Sequence, residues 1–278
     1  MGLAGIAYWA RSAAVKRVPG ARRLWQRFPL GSVHLKTEYD IWERPAYAYG
    51  VYSAALLAKA LGQPSLTAIE FGVARGDGLV ALERICHEIG AAFGIEITVA
   101  GFDTGQGNPK PADYRDLPYL WDEGFYAMDE AAVRSRLNGT KLVLGDVAET
   151  IDSFVREVPN PIGFISFDLD YYSSTVQAFR VFEGAAATRL PRVFCYFDDI
   201  LWPERAYYNE FTGEYLAINE FNEQHPRQKI ARIPHLHHMR RFPAGWNEQL
   251  FVCHDFDHPD YCINTKRSTP LAANEMAE

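Results

Sequence analysis

The segment ISFDLDYYSST, residues 165–175, ends an apolar run with two carboxylates, Asp168 and Asp170, separated by Leu169. A second segment, VFCYFDDI at 193–200, ends the same way in the adjacent pair Asp198 and Asp199. Carboxylates spaced like this do two kinds of work: they ligate a hard cation through oxygen, or one of them removes a proton. Four uncompensated carboxylates converging on one cleft would raise one another's proton affinity and destabilise the fold. A divalent cation with oxygen ligands removes that cost. Adjacent residues of a strand face opposite ways, so Asp198 and Asp199 can share a cation only if the chain turns there, just before ILWPE.

The elements that position these acids follow from the apolar pattern. Short apolar runs end in acids or acid-plus-glycine at 66–72, 97–103, 140–146, 162–170 and 192–200. Helical segments read at 44–62, 78–94, around 129–139, around 147–158 and at 174–187 alternate with them. Strands that are apolar throughout and alternate with helices predict a parallel sheet covered on both faces. A further helix at 213–226 precedes two more strands, KIARIPHL and NEQLFVCHDF, with no full helix between them, which predicts an edge hairpin. The fold class is therefore α/β: a Rossmann-like, doubly wound, mostly parallel seven-stranded sheet with a terminal antiparallel hairpin, preceded by N-terminal helices. Residues 1–62 read as a basic arm and helical cap, 63–264 as the main domain and 265–278 as a flexible tail.

In an open parallel sheet, ligands bind beyond the carboxyl ends of the strands. Glu70, Asp103, Asp146, Asp168, Asp170, Asp198 and Asp199 all fall there, whereas any one of them taken alone reads as a helix cap or a solvated loop acid. The first loop, AIEFGVARGDG, carries Glu70, Gly72, Gly76 and Gly78, glycines that let backbone approach a ligand and let a helix start close to its strand. It is not the GxGxxG of dinucleotide sites. Asp103 is placed to accept from a ribose diol and Asp146 from an adenine amino group. Together these form an adenosine site that requires no pyrophosphate.

Composition bounds the rest. Of 278 residues, 48% are hydrophobic and 23% charged, the balance of a globular chain with a large core. Four cysteines form no CxxC pair and read as reduced thiols of an intracellular, cytoplasmic protein. No run of about 18 apolar residues is present. Residues 1–37 hold seven Lys or Arg and no acid, leaving 21 basic against 35 acidic residues, a balance of −14, in the remainder. That arm suits either a peripheral contact with acidic lipid heads or packing against the acidic body of its own or a neighbouring subunit. A homo-oligomer is expected, and no nucleic-acid partner. The His235, His237, His238 group and the Cys253, His254, His258 group flank the hairpin, where alternation separates the side chains.

IEFGVARGDG, GFDTGQG, GDVAETI, ISFDLDYYSST and VFCYFDDI, in this order, resemble the class I S-adenosylmethionine-dependent methyltransferases, and more narrowly the macrocin O-methyltransferase (TylF/MycF-like) family of sugar O-methyltransferases. The resemblance spans about residues 66–255. It implies S-adenosylmethionine as donor, with Glu70, Gly72, Gly76, Gly78, Asp103 and Asp146 around it. It also implies a Mg²⁺ held by Asp168, Asp198 and Asp199, Asp170 as general base, and a small-molecule hydroxyl as acceptor. The sequence departs from the family where its Gly between the two acids is Leu169, and where its FEG is Gly105-Gln106-Gly107. Tyr171, Tyr172 and Trp202 follow the acids and stand either to wall an acceptor or to pack beneath the next helices.

Two other functions compete at this stage. A NAD or nucleotide-sugar Rossmann enzyme lacks support, because GxGxxG is absent and no Lys lies four residues after either tyrosine of YYSST. A non-catalytic S-adenosylmethionine-binding protein would have kept the fold without needing the complete acid set.

Overall fold

The computed structural model describes residues 20–201 and 207–265. The basic arm before Gly20, Trp202 and the tail beyond Thr265 lie outside the described residues. Two short helices, α1 (Ala21–Arg27) and α2 (Val33–Glu38), lead into α3 (Pro45–Ala60). Then follow β1 (Ser65–Phe71), α4 (Asp77–Phe93), β2 (Glu96–Asp103), α5 (Glu130–Arg136), β3 (Lys141–Leu144), α6 (Val147–Glu157) and β4 (Ile162–Phe167). The chain continues through α7 (Tyr172–Ala178), β5 (Arg189–Phe197), α8 (Gly213–Gln224), β6 (Gln228–Arg232), the single turn α9 (Leu236–Met239) and β7 (Leu250–Asp255).

The seven strands form one sheet in the order β3-β2-β1-β4-β5-β7-β6. β1 to β5 are parallel, and β7 enters antiparallel between β5 and β6, so the expected terminal hairpin closes one side of the sheet. Strand alternation divides the core in two. Leu66, Ala68 and Phe164 pack with α3 and α4 on one face, while Ile69, Phe71, Ile165 and Phe167 pack with α6 and α8 on the other. The β1–β4 register shifts between Thr67 and Ala68, opposite Ile162 and Phe164, so Ile162 joins the same face as Ile165.

Two expectations change in detail. The helix read at 174–187 stops at Ala178 and continues as 3₁₀ turns, Phe179–Phe182 and Ala186–Thr188. Gly184 marks the break, lying so close to Val155 that a Cβ there would sit 2.4 Å from its Cγ1. Also, α3 is not a cap beside the domain: its Tyr47, Ala48, Val51 and Ala55 are buried in the core that α4 shares with the sheet.

One row of side chains sets the geometry of everything that follows. Phe102, Phe71, Phe167 and Phe197 are in register across β2, β1, β4 and β5. Their rings pack in a row across these four strands, with centroids 4.8 Å apart for Phe71–Phe102, 5.4 Å for Phe71–Phe167 and 4.7 Å for Phe167–Phe197. The next residue of each chain is Asp103, Gly72, Asp168 and Asp198 respectively. A buried aromatic ladder thus fixes the level of the strand ends, and the acids leave the sheet together, one residue past the ladder.

Candidate functional site

Gly72 has φ +83°, and a Cβ there would lie 1.7 Å from the Asp168 carbonyl oxygen, so only glycine lets β1 and β4 end side by side. Gly78, in the first turn of α4, lies against Glu70: its Cβ would fall 2.1 Å from Oε1. Glu70 is 1% exposed. It accepts from the Tyr47 hydroxyl at 2.7 Å, and Tyr47 in turn accepts from Ser166 Oγ at 2.9 Å. The other oxygen, Oε2, is buried with no partner. Burial above all pushes the Glu70 carboxyl up to about 8, against the Tyr47 hydrogen bond and the charge of Arg44. Gly76 packs on Val133, behind the loop.

Asp103 Oδ2 accepts from the backbone N–H groups of Val73 (2.9 Å) and Ala74 (2.8 Å), and Oδ1 from that of Gly105 (2.7 Å). Its charge therefore ties the glycine loop of β1 to the end of β2. Asp146 is the N-cap of α6, accepting from Ala148 N at 2.8 Å, and stands exposed at the rim.

Asp168, Asp198 and Asp199 converge: each offers a carboxylate oxygen within 4.8 Å of the others. β5 stops at Phe197, so the chain turns where the sequence required it to. Asp198 accepts from the Tyr196 hydroxyl, and its carbonyl accepts from Gln249 Nε2 at 2.7 Å. Asp170 has φ +58°, a left-handed conformation that Asp tolerates better than most residues. It is held there by its backbone N–H, which donates to Asp199 Oδ2 at 2.9 Å. Asn108 Nδ2 donates to Asp170 Oδ2 at 2.8 Å. Burial, first among the influences, pushes the Asp170 carboxyl to about 6. Burial and neighbouring carboxylates push Asp168 and Asp199 well above the usual range.

These groups share one cavity of about 500 Å³. Glu70, Gly72, Gly78, Asp103 and Asp146 line it toward β1–β3, and Asp168, Asp170, Asp198 and Asp199 line it toward β4 and β5. Arg44, at the start of α3, contributes a cation to the wall. The loop between β2 and α5 arches over the acids and adds Asn108, Trp121 and Tyr126. Asp116 pins this loop: buried, it accepts from Ala112 N, Ser173 N and Ser173 Oγ at 2.8, 2.8 and 3.0 Å.

The tyrosines need correction. Tyr171 is fully buried, and neither it nor Tyr172 lines the cavity. Tyr172 opens α7, which turns its hydroxyl onto Glu220 of α8 at 2.5 Å while Arg115 stacks 4.5 Å from its ring. Packing thus accounts for both. Sequence reasoning missed Arg44, Tyr47, Asn108 and Glu214. Glu214, at the start of α8, is fully buried and accepts from Asp199 N at 3.0 Å.

The donor set fits a hard divalent cation: three carboxylates at ligating spacing, all-oxygen, two of which, Asp168 and Asp199, are pushed up by burial and by neighbouring carboxylates, a penalty that a cation would relieve. The other end fits a cationic amine near the orphaned Oε2 of Glu70.

No protein-family model matches the chain, and no curated protein does so either. Solved structures do. CalS11, a calicheamicin methyltransferase, superposes with a TM-score of 0.50 at 17% identity, over 91% of this chain and 93% of that one. The O-methyltransferase NovP superposes with a TM-score of 0.50 at 14% identity, over 76% of this chain and 79% of that one. At these identities the likeness is one of fold. The chain therefore has the Rossmann-like fold of the class I methyltransferases, and it resembles the macrocin O-methyltransferase group in the order of its strand-end motifs.

Proposed function

We propose that this protein is an S-adenosylmethionine-dependent, Mg²⁺-assisted O-methyltransferase acting on a hydroxyl of a sugar or natural-product-like small molecule. The observation that carries the reading is the single cavity with two chemically distinct ends: a glycine loop with Glu70, Asp103 and Asp146 at one, and a convergent carboxylate cluster at the other. Two adjoining ends of this kind would hold a donor and a polar acceptor side by side.

In this reading Glu70 faces the donor's amino group, while Asp103 and Asp146 face its ribose and adenine. Asp168, Asp198 and Asp199 would hold the cation, whose chemistry when bound is to lower the pKa of an acceptor hydroxyl and fix its position. Asp170, which lines the cavity and is oriented by Asn108, receives the hydroxyl proton as the acceptor oxygen attacks the methyl carbon. The carbon–sulfur bond breaks, and the sulfonium leaves as a neutral thioether. A carboxyl near 6 suits a base working close to neutral pH. Trp121 and Tyr126 add aromatic wall to the cavity, and excluding water would help as charge is neutralised in the transition state.

The test is calorimetric titration of S-adenosylmethionine and, separately, NAD⁺ into the purified protein, with Mg²⁺ and with EDTA, followed by a screen of hydroxylated acceptors. Micromolar donor binding, with acceptor binding that requires Mg²⁺, is the expected result. Absence of donor binding in both conditions refutes the reading, and NAD⁺ binding instead would favour a Rossmann oxidoreductase.

A further inference from the structure

The cation cluster is braced from behind by a residue that does not line the cavity. Glu214 is fully buried, two residues into α8, and its Oε2 accepts the backbone N–H of Asp199 at 3.0 Å. Asp199 in turn accepts, on its own Oδ2, the backbone N–H of Asp170 at 2.9 Å. The relay thus runs from α8 to a cation ligand and from that ligand to the base. It is rigid at its root. α8 buries Ala217, Ile218 and Phe221, and Phe221 packs edge-on to Phe179 and Phe182 with centroids 5.4 and 5.7 Å away. Gly213, at φ +56°, brings the start of the helix against Leu117 and the Asp170 carbonyl, where a Cβ would lie 3.2 and 4.0 Å away.

At its other end the relay holds a strained residue. Asp170 sits in the left-handed region, a conformation that persists only when its surroundings over-determine it. A hydrophobic side chain at position 214 would fill the same space at less cost than a buried carboxylate with one oxygen unpartnered. The acid is therefore placed for what it holds.

We propose that Glu214 is a positioning residue: by fixing the main chain of Asp199, and through Asp199 that of Asp170, it presents the cation ligands and the base in one geometry. This rests on the cation reading above. Residues behind a ligand that fix its orientation are typically worth about 10–100-fold in metal affinity.

The experiment compares Glu214→Gln, which keeps an acceptor, with Glu214→Met, which fills the volume without one. Amide hydrogen exchange at Asp199 and Asp170 is measured in EDTA, together with Mn²⁺ affinity and S-adenosylhomocysteine affinity by calorimetry. Glu214→Met should speed exchange at both amides about tenfold and weaken Mn²⁺ by about tenfold or more. Glu214→Gln should stay within about threefold of the parent on both, and donor-product affinity should be unchanged in either variant. Parent-like exchange and Mn²⁺ affinity in Glu214→Met would overturn the proposal. So would equal losses in both variants, which would assign the effect to charge rather than to the hydrogen bond. Should the parent bind no Mn²⁺, the cation reading falls by itself, while the exchange data still decide whether Glu214 holds the relay.

Discussion

Replacing Glu70 by Gln should flatten the pH dependence of stability measured without metal or donor. Glu70 is 1% exposed, and burial moves its carboxyl from 4.5 up to about 8. The folded protein therefore keeps a proton that the unfolded chain releases near its ordinary value. The stability tied to that proton is full below about pH 4.5 and is lost as pH rises, until the folded carboxyl ionises near 8. Each unit of that window is worth about 1.4 kcal/mol, so the whole of it amounts to ~5 kcal/mol. Gln cannot titrate, and it still offers an acceptor for the Tyr47 hydroxyl. For a chain of this size one kcal/mol moves the melting temperature by roughly 2–4 °C. The variant should melt close to the parent at pH 5 and ~10 °C or more above it at pH 8.5. Calorimetric melts in EDTA at half-unit steps read this directly. Curves that run parallel across the range would show that Glu70 does not hold its proton in the fold, and the electrostatic account of the donor end would fail with it. An ammonium brought beside Glu70 would favour its ionised form, and Gln cannot ionise, so S-adenosylhomocysteine should bind the variant about tenfold more weakly.

Other expectations follow from the same geometry. Gly72→Ala drives a Cβ to 1.7 Å from the Asp168 carbonyl at a φ of +83°, so it should cost several times more stability than Gly62→Ala, at φ +73° with nothing within 4 Å, which is expected to cost about 1 kcal/mol; urea unfolding of both compares them. Asp170→Asn should lower turnover by about 10²–10⁴-fold while donor affinity stays within about threefold; turnover close to the parent's would remove Asp170 as the base. Asp168→Asn should abolish measurable Mn²⁺ binding yet raise the metal-free melting temperature at pH 8, because burial and Asp198 disfavour its ionised form; retained Mn²⁺ affinity would place the cation elsewhere.

Most of the sheet was legible because its information is local. Apolar runs of five to eight residues, each closed by an acid or glycine, mark β1 to β5 whatever the rest of the chain does. The terminal hairpin was legible for the same reason, though not the insertion of β7 between β5 and β6, which depends on pairing between residues 54 to 62 positions apart. The convergence of Asp168, Asp198 and Asp199 followed from a rule about strand ends. The sequence also carries a sharper signal. GFD, SFD and YFDD repeat a Phe before each acid, and in-register stacking of those rings is what sets the acids at one level.

What stayed hidden came from elements whose direction no local pattern encodes. Arg44 caps α3 and Tyr47 lies on it, and that helix looks like any small-residue helix until it packs across β4 and β5. Asn108 reaches Asp170 because Asp116 ties an irregular loop to α7, a contact between residues far apart in the chain. Tyr171 and Tyr172 show the converse: they adjoin the acids in sequence, but Tyr171 is buried as the N-cap of α7, and Tyr172, the first residue of that helix, turns its hydroxyl onto Glu220. Glu214 is the extreme case. In GEYLAINEF it occupies the first turn of a helix, an ordinary place for an acid. Nothing in the segment reveals that the turn is buried and abuts the end of β5. A side chain that answers a local demand and a distant one at the same position is invisible to pattern, and here that position stands directly behind a proposed cation ligand.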